Sequence, residues 1–398
     1  MTLVPNGIAY LSFDVVPSPK GASTHIQAFV QALARRFGPL DLVTIGPGLT
    51  VPPPIERWPG VLHHELPAMG KSLIDRVLCF RVFLQRWLSG RNYDVVHFRS
   101  IFEGLPLLHL RGSTRLIFEV NGLHSIELRY RYPGVVDDRD LMRKLIAQEA
   151  ACLDAADLIV TPSAVTREYL VGDRGVDGGK IRVIPNGVDI DLFQPAQRTH
   201  WGGPMRLLYF GTLSPWQGVE LAIRALAQTA ATLTIIGSGS GRQRDSLMAL
   251  AAKLNLAHRV TILPPVAQQE LAEHLRNSDA ILVPLTLTDR NTLQGCCPLK
   301  ALEGMASGTP VIATDLPVVR ELGRDGEHFL LVRPGSVDHL AETILRLAAD
   351  PDLAQRLSVK ARQQIEARYT WQRAGDELIA CYEGLGAPLR DPAVLART

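Results

Sequence analysis

The apolar positions of this chain fall into short runs separated by helical stripes, and the two patterns alternate along its length. IAYLSFD is a short apolar run closed by the turn signals VVPSPKGAS; Ile26, Phe29, Val30 and Leu33 then recur at helical spacing, and LDLVTIG forms the next run. Strand, loop, helix, strand is a βαβ unit, right-handed when the strands are parallel. VVHF (95–98), RLIFEV (115–120), DLIVT (157–161) and IRVIP (181–185) predict further strands with helices between them. QPAQRTHWGGPM (194–205) is polar, rich in Gly and Pro and without period, and reads as a linker. The alternation then restarts. Strands are predicted at RLLYFG (206–211), LTIIG (233–237), VTILP (260–264), AILVP (280–284), PVIAT (310–314) and HFLLV (328–332). Helices are predicted over 218–229, 242–254 and 267–277, and from DHLAETILRLAA to TWQRAGDELIACYEGL.

Two tandem alternations predict an α/β protein with two doubly wound, Rossmann-like domains facing a cleft, since ligands of such sheets bind beyond the carboxyl ends of the strands. The length of 398 residues agrees, being too long for one ordinary core. The expected boundaries are 1–195 for the first domain, completed by a C-terminal helix at about 371–398, and 204–370 for the second.

Composition narrows the chemistry. With 46% hydrophobic and 21% charged residues the chain is globular, not disordered. A net charge of +2 gives no global case for nucleic acid, leaving local basic clusters for phosphates or anionic lipid. Cys79, Cys152, Cys296, Cys297 and Cys381 form no CxxC pair and no zinc-finger spacing, so neither metal nor redox work is assigned to them. Their irregular spacing suits a reducing cytoplasm. MTLVPNGIAYLSFD lacks the pattern of a signal peptide, and no run of 18 apolar residues is present to span a bilayer.

Three loops are candidates for phosphate. PSPKGASTHI (17–26) joins the first strand to the first helix, where Gly21 lets backbone approach a ligand and the helix N-terminus favours an anion; Ser23 or Thr24 is its candidate N-cap. GSGSGRQRD (237–245), with Gly239, is a weak dinucleotide signature and reads equally as a packing turn. In QGCCPLKALEGMASGTPVIATD (294–315), Pro298 suits a first helical turn and Gly308 a helix end. Leu299, Leu302, Met305 and Ala306 would face the core, and Lys300, Glu303, Gly304 and Ser307 the other side. A lysine in a first turn opposes the helix dipole, and a bound diphosphate reverses that sign.

The segments VIPNGVDIDLF (183–193), YFGTLSPWQGVELAIRAL (209–226) and PLKALEGMASGTPVIATDLPVVRELG (298–323), in that order, resemble the retaining glycosyltransferases of family 4, with the GT-B fold. The resemblance covers almost the whole chain. It implies metal-independent transfer of a sugar from a nucleotide-sugar, UDP- or GDP-linked, with no further cofactor. Glu303 matches the second glutamate of the family's Glu-x7-Glu motif, which binds the donor ribose; the first falls at Gly295. The Arg and Lys that clamp the diphosphate fall at Thr212 and Gln217, just after Gly211, so Arg290 and Lys300 are expected to supply that charge as the catalytic pair. Pro298 and Leu299 would adjoin the donor, Gly21 would face the diphosphate, and the base would rest near Pro265 and Val266. On the acceptor side the family's histidine position is nearest Asn121, flanked by Glu119 and His124; His97 and Arg99 form a second cleft pair.

No carboxylate is anchored by a motif for a covalent route, so a front-face displacement is expected, the departing phosphate taking the acceptor proton. DRVLCFRVFLQRWLSGR (75–91) mixes arginines with aromatic residues and would allow peripheral contact with anionic lipid, placing a cytoplasmic protein at the inner face of the membrane. The acceptor would then be a glycan or lipid-linked saccharide. Asp-x-Asp in DDRD (137–140) reads as a helix cap, not a metal site. Two other readings keep the same fold: a nucleotide-sugar epimerase, and a non-catalytic sugar-nucleotide-binding subunit that lost its clamp at Thr212, Gln217 and Gly295.

Overall fold

In the computed structural model, which describes residues 7–132, 134, 137–195 and 204–385, each stretch of alternating pattern closes on a sheet of its own. The first sheet holds β1 (Ile8–Leu11), β2 (Leu40–Gly46), β3 (Ile55–Trp58), β4 (Val61–Pro67), β5 (Val95–Phe98), β6 (Arg115–Glu119), β7 (Leu158–Thr161) and β8 (Ile181–Val183), in the order β3-β4-β2-β1-β5-β6-β7-β8. The second holds β9 (Arg206–Phe210), β10 (Thr232–Ile236), β11 (Val260–Leu263), β12 (Ala280–Val283), β13 (Val311–Thr314) and β14 (Leu330–Val332), in the order β11-β10-β9-β12-β13-β14. Every pairing is parallel except β3 with β4. Helices cover both faces, so β1, β5, β7, β12 and β13 are buried along their whole length; this is why they read as unbroken apolar runs.

Strand order reverses at β1 in the first sheet and at β9 in the second. The loops after β1 and β5, and after β9 and β12, are therefore where each sheet offers a ligand crevice. Four helices lie at the seam between the sheets, α1 (Gly21–Phe37), α3 (His124–Arg131), α4 (Leu299–Ala306) and α5 (Trp371–Gly384), while α2 (Leu73–Leu88) packs on β4.

The sequence pattern did not predict β3 and β4. β3 is a half-exposed edge, and VLHHELP hides β4 behind buried polar letters. His63 Nε2 pairs with Thr44 Oγ1 at 2.7 Å, and His64 Nε2 with Asp41 Oδ1 at 2.7 Å. The indole N–H of Trp87 on α2 donates to His64 Nδ1 at 3.2 Å. Each buried histidine thus has the partner that burial demands, and burial pushes His63 down to about 4.

The predicted linker lies mostly outside the described residues, at 196–203, as does the chain after 385. α5 crosses back onto the first sheet. Gly375 abuts Ala32 of α1, and the buried Tyr382 hydroxyl meets His97 Nδ1 at 2.8 Å. The other crossing, at the NGVD segment, runs directly beneath this one: a Cβ on Gly187 would lie 2.3 Å from the Trp371 backbone nitrogen. Val188 N–H donates to the Tyr369 carbonyl at 2.9 Å, fastening the two crossings together.

Candidate functional site

α4 is buried on every side from Lys300 to Ala306. Leu302, Met305 and Ala306 enter the core as the pattern predicts. Gly304 does not share the ligand face. It lies against Ile281 and Val311, where a Cβ would sit 2.9 Å from the Val311 side chain, so this glycine lets the helix close onto β12 and β13. Ser307 likewise turns inward, donating to the Gly304 carbonyl at 2.8 Å.

Lys300 and Glu303 remain as the polar pair on one flank of α4. The Lys300 ammonium donates to Gln217 Oε1, lies 3.5 Å from the Tyr209 hydroxyl and stands 4.7 Å from the centre of the Tyr209 ring. The Tyr209 hydroxyl itself donates to the Thr212 carbonyl at 2.5 Å. Gly211, at φ 126°, leaves room for the lysine: its missing Cβ would be 3.4 Å from Lys300 Cε. Lys300 therefore delivers its charge into the loop holding Thr212 and Gln217, the positions where a clamp was expected and neither residue is cationic. Burial lowers the Lys300 pKa to about 7, with Arg290 adding repulsion. Burial raises Glu303 to about 8, against the attraction of Lys300. Among the described residues no hydrogen bond reaches the Glu303 carboxyl. A cation so held against its own solvation is stabilised by any anion that enters.

Gly21 comes against this helix from the opposite sheet. A Cβ there would fall 2.7 Å from Leu299 Cδ1, so the N-terminal ends of α1 and α4 meet. The N-cap of α1 is Lys20, not Ser23 or Thr24, and it makes no side-chain cap. Ser23 Oγ accepts instead from Ser18 N–H at 2.9 Å, and Thr24 Oγ1 from Gln268 Nε2 at 3.2 Å across the seam. Pro298 stands at the α4 N-cap, which has no side-chain cap either. Two uncapped helix N-termini beside a buried ammonium make a positive region suited to phosphate. Pro265, exposed, and Val266, half-buried, follow β11 on the rim.

Several expected site residues also serve packing. Arg290 is held by other side chains of the protein. Its Nε lies 3.3 Å from Glu127 Oε1 of α3, a guanidinium N–H donates to Asn291 Oδ1 at 3.1 Å, and its plane covers Trp216 at 5.3 Å. It belongs to a π-helix, Arg290–Gln294, docked onto α3 by Gln294 (to Leu123 N–H, 2.9 Å, and Glu127, 3.0 Å) and by Asp289 (to Arg129, 2.8 Å). Gly295, at φ 77°, explains the missing glutamate: a Cβ would lie 2.9 Å from the Thr166 backbone nitrogen, so no side chain fits. Gly239 packs its turn on Leu213, 2.8 Å from where its Cβ would be.

Glu119 is enclosed and does not open onto an acceptor, being 1% exposed. It accepts from the Tyr10 hydroxyl at 2.5 Å, His97 Nε2 at 3.0 Å, Arg99 Nε at 2.9 Å and the Asn121 amide, so Asn121 too is turned inward. His25 Nε2 stands 2.9 Å from Oε1, the oxygen that Arg99 and Asn121 also contact. Burial alone would raise the Glu119 pKa, but His25 and Arg99 hold it well below the usual carboxylate range. Arg99 extends from this cluster to Asp14, 3.0 Å away. His124 opens α3, stacked on Phe102 with ring centres 4.1 Å apart. Its Nε2 is buried without a partner among the described residues, and burial lowers its pKa. Asp138 caps the following helix through Leu141 N–H at 2.9 Å, as its sequence predicts. Among the described residues no group of His, Cys, Asp and Glu is arranged to hold a metal ion.

Residues 19–192 match the family model described as Glycosyltransferase Family 4, and residues 193–364 match Glycosyl transferases group 1. The chain is 29% identical to a D-inositol 3-phosphate glycosyltransferase of Geodermatophilus obscurus, covering 95% of this chain and 89% of the relative. The enzyme of the same name from Nocardia farcinica is 28% identical, with the same coverage. Sucrose-phosphate synthase from Thermosynechococcus elongatus superposes with a TM-score of 0.80 at 23% identity, covering 96% of this chain and 99% of that structure. HepE of Anabaena, solved in complex with UDP-glucose, gives 0.74 at 17% identity, covering 96% and 100%. These structures establish GT-B as the fold.

Proposed function

Starting from a chain that belongs with the group 1 and family 4 glycosyltransferases, we propose that it moves a sugar, with retention and without a metal, from a nucleoside-diphosphate sugar to an acceptor in the interdomain cleft. The observation that carries this is the Lys300 ammonium, buried beside Gln217 and Thr212 and next to the meeting ends of α1 and α4. In the transition state negative charge builds on the departing β-phosphate, and preorganised cations and backbone N–H groups lower that barrier. Lys300 and the two helix ends supply them. Glu303, one turn further along α4, takes the ribose hydroxyls, and the base rests by Pro265 and Val266. The departing phosphate collects the acceptor proton in a front-face displacement. The donor nucleotide is UDP or GDP, the former supported by the UDP-glucose complex of HepE.

The acceptor is a glycan or lipid-linked saccharide met at the membrane surface. α2 supports this by a different route from its arginines. Arg81 is spent on the Ile101 carbonyl at 2.8 Å and Arg76 on that of Ala68 at 3.1 Å, while Phe80 and Trp87 are buried. What α2 exposes is an aliphatic stripe, Ile74, Leu78 and Val82, with exposed Lys71 and Arg86 at its ends. Co-sedimentation with vesicles rich in phosphatidylglycerol is expected for the wild type and lost in Ile74→Ser/Leu78→Ser; equal sedimentation of both would remove the membrane from this reading.

Release of free nucleoside diphosphate from a panel of UDP-, GDP- and ADP-sugars tests the activity, with undecaprenyl-linked saccharides and inositol 3-phosphate as acceptor arms. Release that accelerates with one acceptor is expected. No release from any donor would favour the non-catalytic subunit, and interconversion of the sugar on its nucleotide would favour the epimerase.

A further inference from the structure

The NGVD crossing holds a buried asparagine whose two amide atoms both have fixed partners in different halves of the molecule. Asn186 follows β8 in PNGVD. Its Nδ2 donates to the Cys297 carbonyl at 2.8 Å, and its Oδ1 is 2.7 Å from His25 Nδ1. A carbonyl only accepts, so the amide has one orientation, and His25 must carry a proton on Nδ1. The other imidazole nitrogen faces Glu119, which Tyr10, His97 and Arg99 also hold, and His97 leads on to Tyr382 of α5.

We infer that Asn186 is a positioning residue for sugar transfer: its amide fixes the entry of α4, and so the place of the Lys300 ammonium, against the rigid ion cluster of the first sheet. Cys297 immediately precedes the N-cap of α4, which has no side-chain cap of its own. The Asn186 amide is thus the side chain that ties down the start of this helix. Lys300 is on the first turn after it, so a shift at Cys297 is passed directly to the ammonium. The backing is stiff, because His25 is packed between Phe29 (ring centres 4.1 Å apart) and Trp371 (5.7 Å). Asn186 also adjoins Gly187, where both interdomain crossings touch, so the first sheet and α4 keep register at this crossing through this amide. Misplacing a catalytic group by about 1 Å can cost about a hundredfold in rate.

The inference rests on the proposed donor site, and the experiment separates the two. Donor turnover and melting temperature are measured for the wild type, Asn186→Asp, Asn186→Ser, His25→Ala and Asn186→Ser/His25→Ala. Asn186→Asp keeps the shape but presents an acceptor to the Cys297 carbonyl, so a fall in kcat of tenfold or more is expected with donor KM changed less than threefold. Asn186→Ser, the milder change, serves where the aspartate variant does not fold. The double variant is expected to be no slower than Asn186→Ser alone, because His25 acts through the amide. Folded Asn186 variants with kcat within twofold of wild type would overturn the inference, as would full additivity in the double variant. A wild type without turnover on any donor would instead overturn the activity on which it rests.

Discussion

Replacing Lys300 by methionine is expected to lower kcat for donor turnover by about 10²–10³-fold, the loss measured when one preorganised group facing a developing oxyanion is removed. Methionine keeps the apolar stem that fills the space beside Tyr209, so the fold is retained and the charge alone is lost. The wild-type pH profile carries the same signature. The free enzyme's lysine loses its proton as pH rises through about 7, so kcat/KM should fall across that range. A bound diphosphate holds the proton in place, so kcat should fall only at higher pH. The decisive variant moves the charge. Gln217 Oε1 already touches the ammonium, so Lys300→Met/Gln217→Lys puts a cation back into the same space from the β9 side. Recovery of at least roughly tenfold over Lys300→Met is expected, since one charge-assisted bond contributes about 1.5–3 kcal/mol. If Lys300→Met keeps kcat within threefold of wild type, the lysine is structural.

The second large effect is on stability. Glu119→Gln leaves Arg99 and His25 buried against a neutral group, and breaking a buried ion cluster from one side costs about 3–5 kcal/mol. At roughly 2–4 °C per kcal/mol for a domain of this size, the melting temperature should drop by about 6–20 °C. The pH dependence has a definite sign. The folded pKa of Glu119 lies below its unfolded value, so its contribution is present above the ordinary carboxylate range and is lost as pH falls towards the folded value. Thermal unfolding of both proteins from pH 7 down to pH 3 checks this, and the two curves should converge in acid. A constant gap, or a drop of less than about 1 kcal/mol at pH 7, would mean the cluster is balanced without its carboxylate.

The strands buried on both faces were legible because a doubly covered parallel strand has to be apolar throughout. β3 and β4 were not, because an edge strand need not be apolar and His63 and His64 are satisfied by Thr44 and Asp41 from a neighbouring strand, partners no local pattern shows. The same limit governs the site. Lys300 and Glu303 share one flank of one helix, so helical spacing alone brought them together. Gly304 has the same spacing but faces β12 and β13, which period cannot distinguish when a helix is buried all round. Arg290 looked like free charge because its partner, Glu127, comes from the other half of the chain. Glu119 looked accessible because it ends a strand at the cleft, yet five side chains from β1, β5, α1 and the loops close over it. Asn186 and His25 are 161 residues apart; a polar residue on the apolar face of α1, beside Ile26 and Phe29, was the one local sign that His25 had a buried partner.

The central claim is that a nucleoside diphosphate seats on the Lys300 and Glu303 flank of α4. Melting temperature of wild type and Glu303→Ala, measured against UDP, GDP, ADP and CMP, tests it most directly, because a ligand bound only by the folded state stabilises it by about 2.7 kcal/mol at a hundred times its Kd. One nucleoside diphosphate should raise the wild-type melting temperature by several degrees and leave Glu303→Ala unmoved. No shift in the wild type, or an equal shift in the variant, would contradict the site.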